Sequence, residues 1–153
     1  MKKLLVLLLL PLFSFSQLAF IGEKSYPSTD VYEFENRDRD LYVSFLKDDD
    51  KVMVMLKTLD VLDYKDPTIN GKMLIYLNDG KVITSSRPTH RDYVNEFCIS
   101  IYPLTKSDTD AIINSNINSI RYALEDKFDD IRNRVATNES GFALNEILDT
   151  FIK

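Results

Sequence analysis

YVNEFCISIYPLTKSDTDAIINSNINSIRYAL, residues 93–124, carries the densest apolar pattern of the chain. In its first third, Phe97, Ile99 and Ile101 fall on one face of an extended backbone, and Val94, Cys98 and Tyr102 fall on the other. That alternation predicts a single strand that needs cover on both sides. Ser107 to Ser115 then predicts a helix, with Ser107 as its first cap, Asp110 three residues later, and Asn116 closing it. Ile117, Ile120, Tyr122 and Leu124 resume a β-favouring run. The stretch therefore reads as strand, short helix, strand.

Upstream, Gly22, Pro27, Ser28 and Thr29 interrupt regular structure, so residues 17–30 predict a loosely structured leading segment with room for one short edge strand. Val31 to Glu35 begins the sheet, and Asn36 to Asp40 is a loop with charges of both signs. LYVSFL (41–46) and KVMVMLK (51–57) are β-rich runs separated by Asp48-Asp49-Asp50, for which a hairpin is the simplest connection. Leu59 to Asp66 leaves a bend, a short strand and a helical turn all open. Asp66-Pro67, Asn70-Gly71 and Asp79-Gly80 are turn signals, because Asn, Asp and Gly tolerate positive φ. KMLIYLN and KVITS, either side of Asp79-Gly80, make the clearest hairpin. Ser85 to Arg91 is a polar connection containing Pro88.

Downstream, Leu124, Phe128, Ile131 and Val135 recur at helical spacing, with Asp130 and Arg134 four apart, and predict a helix that Asn138 to Gly141 ends. Leu144, Ile147, Leu148 and Phe151 follow the i, i+3, i+4, i+7 pattern of an amphipathic helix. The expected fold class is α+β: a mostly antiparallel sheet of about six to eight strands, a short helix between two late strands, and a C-terminal amphipathic helix packed on the sheet. Residues 31–153 form one domain in this reading.

The beginning of the chain has a different character. Met1-Lys2-Lys3, the apolar run LLVLLLLPLF and the small residues of SFSQ have the three parts of a secretory signal, with the cut expected between Ser16 and Gln17. An apolar core of roughly ten residues is short of the ~20 that span a bilayer. No cysteine lies near the cut to carry a lipid, and no later run approaches a spanning length. The expected destination is the periplasm or the medium. Removing residues 1–16 takes two lysines and no acid, which moves the net charge from −5 to −7. That sign argues against a nucleic-acid partner, whose binding needs Lys and Arg against phosphates. Cys98 is the only cysteine, so no intramolecular disulfide can form. It reads as a small buried apolar side chain.

Little in the sequence points to catalysis. His90 is the only histidine, and no G-x-S-x-G turn presents a serine to it. If residues 90–98 run as one strand, roughly 26 Å separates His90 from Cys98. Two Cys and His residues cannot build a usual zinc site. Asp48 to Asp50 lacks the alternation and glycine of a calcium loop and reads as a solvated turn. Asp108/Asp110 and Asp126/Asp129/Asp130 read as helix-start charge and polar helix face. Four scattered glycines make no phosphate cradle, and Tyr76, Tyr93, Tyr102 and Tyr122 suit half-buried strand positions. No cofactor and no metal are expected. Arg87, His90 and Arg91 form the one compact basic cluster in a loop, the first place to look for an anionic ligand.

IGEKSYPST (21–29), INGKMLIYLNDGKVIT (69–84), RDYV (91–94) and YPLTKSDTDAIINSNINSIRYAL (102–124) together resemble a group of small exported proteins of Bacteroidota, as does the SFSQ end of the leader. The likeness touches about half of the chain after the leader. It implies compartment and fold, and it implies no catalytic residue. The functional expectation is an exported, non-enzymatic domain that binds, or helps to build, an envelope or extracellular component. The alternative is a small hydrolase of polysaccharide or peptidoglycan, working through an Asp/Glu pair that only the fold brings together.

Overall fold

The computed structural model describes residues 17–59, 67–126, 128 and 131–153. The leader read over 1–16 lies outside the described residues. So do residues 60–66, whose local structure the sequence left open, and Asp129 and Asp130.

Eleven strands and two helices are described, more strands than expected and in two sheets. The first sheet holds β1 (Gln17–Ile21), β2 (Lys24–Ser28), β3 (Tyr32–Phe34), β4 (Leu41–Asp48), β5 (Lys51–Leu59), β8 (His90–Val94) and β9 (Phe97–Leu104). Its order is β1-β2-β4-β5-β9-β8, with β3 also on β4. The second sheet runs β11-β10-β6-β7, from β6 (Thr68–Leu77), β7 (Val82–Ser85), β10 (Ile117–Glu125) and β11 (Ile131–Thr137). All pairings are antiparallel. The two expected hairpins form, β4–β5 around Asp49-Asp50 and β6–β7 around Asp79-Gly80.

The sheets pack face to face. Leu41, Val43 and Phe45 of β4, Val54 and Leu56 of β5, and Cys98 and Tyr102 of β9 meet Ile69, Ile75, Ile120 and Tyr122 in one buried cluster. Strand β9 is fastened to β6 by Ser100 Oγ, which donates to the Ile69 carbonyl (2.5 Å), and by the Tyr102 hydroxyl, which donates to the Gly71 carbonyl (3.1 Å). Helices α1 (Lys106–Asn114) and α2 (Leu144–Ile152) pack chiefly against each other, and their Ile112, Leu144 and Leu148 complete the same core. Asn116 and Asn138 hold the approach to α2, both donating to the Phe142 carbonyl (2.8 and 2.9 Å).

Several local expectations are corrected. Residues 93–104 are two strands, because Asn95 and Glu96 both take positive φ and reverse the chain between Val94 and Phe97. The 26 Å separation therefore does not hold. His90 and Cys98 sit on neighbouring strands and on opposite faces, since His90 is paired with Ile101 and Cys98 with Tyr93. Helix α1 is capped by Thr105 and Asp108 in a reciprocal capping box, two residues earlier than Ser107 and Asp110. The helix expected from Leu124 to Val135 is instead the end of β10 followed by β11. β-Branched Ile131, Val135 and Thr137 suit an edge strand, and Ile131 and Val135 face solvent. Gly71 has positive φ, as its pairing with Asn70 suggested, but it makes a bulge inside β6 opposite β10 rather than a reversal. Residues 17–28 form an ordered hairpin around Gly22.

Candidate anion-binding site

Two seams join the sheets, and the basic cluster lies at one of them. On the far side, Glu35 exchanges two backbone hydrogen bonds with Thr137 (2.9 and 2.8 Å), which links β3 to β11. On the near side, β7 and β8 end their sheets without pairing to each other. Residues 86–89 cross that gap, and the basic cluster sits there.

Strand alternation splits the three cluster residues. Arg91 is paired with Ser100 and so points to the face that meets the second sheet, whereas His90 is paired with Ile101 and points to the other face. Arg87 and Arg91 line one pocket of about 340 Å³, together with Asn70 and Gly71 of β6 and Ser86 and Pro88 of the connection. His90 lines a different cavity on the opposite face. The structure thus brings Arg87 and Arg91 together and separates His90 from both.

The bulge at Gly71 is what shapes this pocket. It carries the β6 backbone toward β9, where Tyr102 holds its carbonyl. Burial pushes the Tyr102 phenol well above its ordinary range, and the positive charge of Arg91 pulls the other way. Asn70 is itself fixed, its amide donating to the Glu125 carboxylate. Among the described residues, Arg87 and Arg91 make no ion pair and no side-chain hydrogen bond. Two uncommitted guanidinium forks beside fixed backbone can grip a carboxylate, phosphate or sulfate.

A larger cleft of about 740 Å³ was not visible in the sequence. It lies between the β2–β3 connection and α2, and its walls include Asp30, Tyr32, Lys47, Glu146 and Phe151. Asp30 accepts from Gln17 Nε2 at 2.5 Å, and Lys47 Nζ donates to the Ile152 carbonyl at 3.4 Å. Burial and the charge of Asp30 both raise the Tyr32 phenol. Asp30 and Glu146 come from opposite ends of the chain, and nothing in either local sequence marks them as neighbours. Among the described residues, no three His, Cys, Asp or Glu side chains gather as a metal ion would need, and no helix is long and apolar enough to cross a membrane. Comparison with family models, with curated proteins and with solved structures found no match.

Proposed function

We propose that this is an exported, non-enzymatic domain that captures an anionic group of an envelope or extracellular component between Arg87 and Arg91. The observation that carries the reading is a single one: both guanidiniums line the same small pocket, and neither makes an ion pair or a side-chain hydrogen bond among the described residues. In a chain that is net acidic, such a local excess of positive charge selects ligands by charge and geometry together. The helix pair α1–α2 is cover for the core in this reading and takes no part in binding.

Export is tested by mass spectrometry of material collected outside the cytoplasm, which should begin at Gln17. Binding is tested by retention on polygalacturonate against neutral dextran. We expect retention on the acidic polymer only, weakening with added salt. Charged hydrogen bonds contribute about 1.5–3 kcal/mol each, so Arg87→Ala and Arg91→Ala should each weaken binding about ten- to hundred-fold. Equal retention of the double variant, or none by the parent chain, would sink the reading.

A hydrolase keeps one specific observation in its favour, the presence of Asp30 and Glu146 in the walls of one cleft. Product release from a glycan panel, abolished by both Asp30→Asn and Glu146→Gln, would replace the binding reading with that one.

A further inference from the structure

The first hairpin is a strap. Strand β2 is paired with β4 only at Ser28 and Leu46, yet Ile21 and Lys24, at the hairpin's far end, share a cavity with Thr89 and His90 at the opposite edge of the sheet. The hairpin therefore leaves the sheet at its base and crosses over β4, β5 and β9 on the face turned away from the core. It encloses about 650 Å³, within the range of roughly 300–1,000 Å³ usual for small-molecule sites.

The chemistry of this space is divided. Its floor is apolar, made by Met53 of β5 and by Ile101 and Pro103 of β9, with Ile21 facing them from the strap. Its rim carries Lys24 and Lys51, whose side chains make no ion pair or hydrogen bond among the described residues. Asp48 is the only carboxylate in the lining. The same sheet face holds the only two buried side-chain polar atoms without a partner among the described residues, Ser44 Oγ and His90 Nε2. They lie in one cross-strand row, Ser44 opposite Met55, Met55 opposite Ile101, Ile101 opposite His90. Buried polar atoms left unpaired are uncommon away from sites that a water or a ligand fills.

We infer that the space beneath the strap binds an amphiphilic anion, an alkyl carboxylate whose chain lies on the Met53–Ile101 floor and whose head group meets Lys24 and Lys51. This site is separate from the Arg87–Arg91 pocket, because alternation along β8 sends Arg91 and His90 to opposite faces. Lys24 and Lys51 are exposed, so reversing their charge leaves the core untouched.

The test titrates the full chain with dodecanoate below its micelle concentration, with dodecanol and dodecyltrimethylammonium as neutral and cationic heads on the same chain. We expect saturable binding of one dodecanoate per chain, at least ten-fold weaker binding of the other two, and at least a ten-fold loss in Lys24→Glu/Lys51→Glu. Arg87→Ala/Arg91→Ala should leave dodecanoate affinity within two-fold while abolishing capture of polygalacturonate. Absence of saturable binding, indifference to the head group, or an unchanged affinity in the charge-reversed variant would each overturn the inference. Loss of dodecanoate in the arginine variant would place the head group in the other pocket and overturn it equally.

Discussion

The two seams between the sheets are built from the same kinds of residue and do opposite things. At the β3–β11 seam, Glu35, Asn36 and Arg134 are engaged in structural contacts. Glu35 and Thr137 trade backbone hydrogen bonds, Asn36 Nδ2 donates to the Val135 carbonyl (3.0 Å), and Arg134 reaches Asp38 at 3.3 Å. At the β7–β8 seam, the edges stay apart, and Arg87 and Arg91 have no such partners among the described residues. Among the described residues, Arg134 has a carboxylate beside it, whereas Arg87 and Arg91 form no ion pair. The contrast implies that substitutions at the first seam should be read in stability and those at the second in binding.

The largest expected effect tests that division directly. Phe34 of β3 is fully buried and anchors the closed seam in the core. Truncating a buried aromatic ring costs about 3–5 kcal/mol, so Phe34→Ala should lower the urea midpoint sharply. Exposed positions away from such features usually stay within about 0.5 kcal/mol, and the Arg87→Ala/Arg91→Ala double variant should do the same. If the arginine pair costs as much as Phe34, the open seam is structural after all.

How far the sequence went in announcing these two regions depends on what each is made of. The β4–β5 and β6–β7 hairpins were legible because their strands alternate and their turns fall between them, and α2 was legible because Leu144, Ile147, Leu148 and Phe151 share one helical face. The closed seam was not, since Glu35 and Thr137 meet through backbone atoms that carry no residue-type signal. Leu124 to Val135 misled because four apolar residues at helical spacing outweighed the β-branched character of Ile131 and Val135, whose exposed side chains show no burial period to correct it. Arg87 and Arg91 are visible in the sequence as a basic cluster, and it is the period-two alternation of β8 that parts His90 from them. The turn that begins β9 was hidden for a related reason: Asn95-Glu96 lacks the glycine that usually marks such a reversal.

That missing glycine gives a smaller, opposite-signed expectation at the open seam. Val94 and Phe97 are paired across a two-residue loop in which both Asn95 (φ 51) and Glu96 (φ 69) are left-handed, the geometry of a type I′ turn that favours Asn-Gly. A left-handed conformation costs roughly 1–2 kcal/mol for a residue with an ordinary side chain. Glycine relieves it but gains freedom in the unfolded chain, so Glu96→Gly should stabilise by about 0.5–1 kcal/mol net. Calorimetry should show a raised Tm, and amide exchange along β8 should slow. No gain would mean that the edge strand bordering the arginine pocket is not held by its turn, and that the open seam is looser than its pairing suggests.

The smallest expected effect returns to the closed seam and depends on pH. The Glu35 carboxylate accepts from Ser140 Oγ (2.7 Å) and from the backbone N–H of Glu139 (3.0 Å). Foremost the Ser140 hydrogen bond, and then the backbone donors, hold its carboxyl below the ordinary glutamate range. Because the folded state binds this proton less readily than the unfolded state does, the stabilisation is fully present above the ordinary range and drains away as pH falls through it to the lowered value. In Glu35→Gln that stretch of the stability profile should be flatter than in the parent, with the two chains diverging at neutral pH and converging in acid. The side chain is exposed to solvent, so the divergence should be modest and should shrink further in salt. A Gln variant whose acid profile overlies the parent's would show that the backbone exchange between Glu35 and Thr137 holds this seam alone, and would leave the contrast between the seams resting on main-chain pairing rather than on side-chain charge.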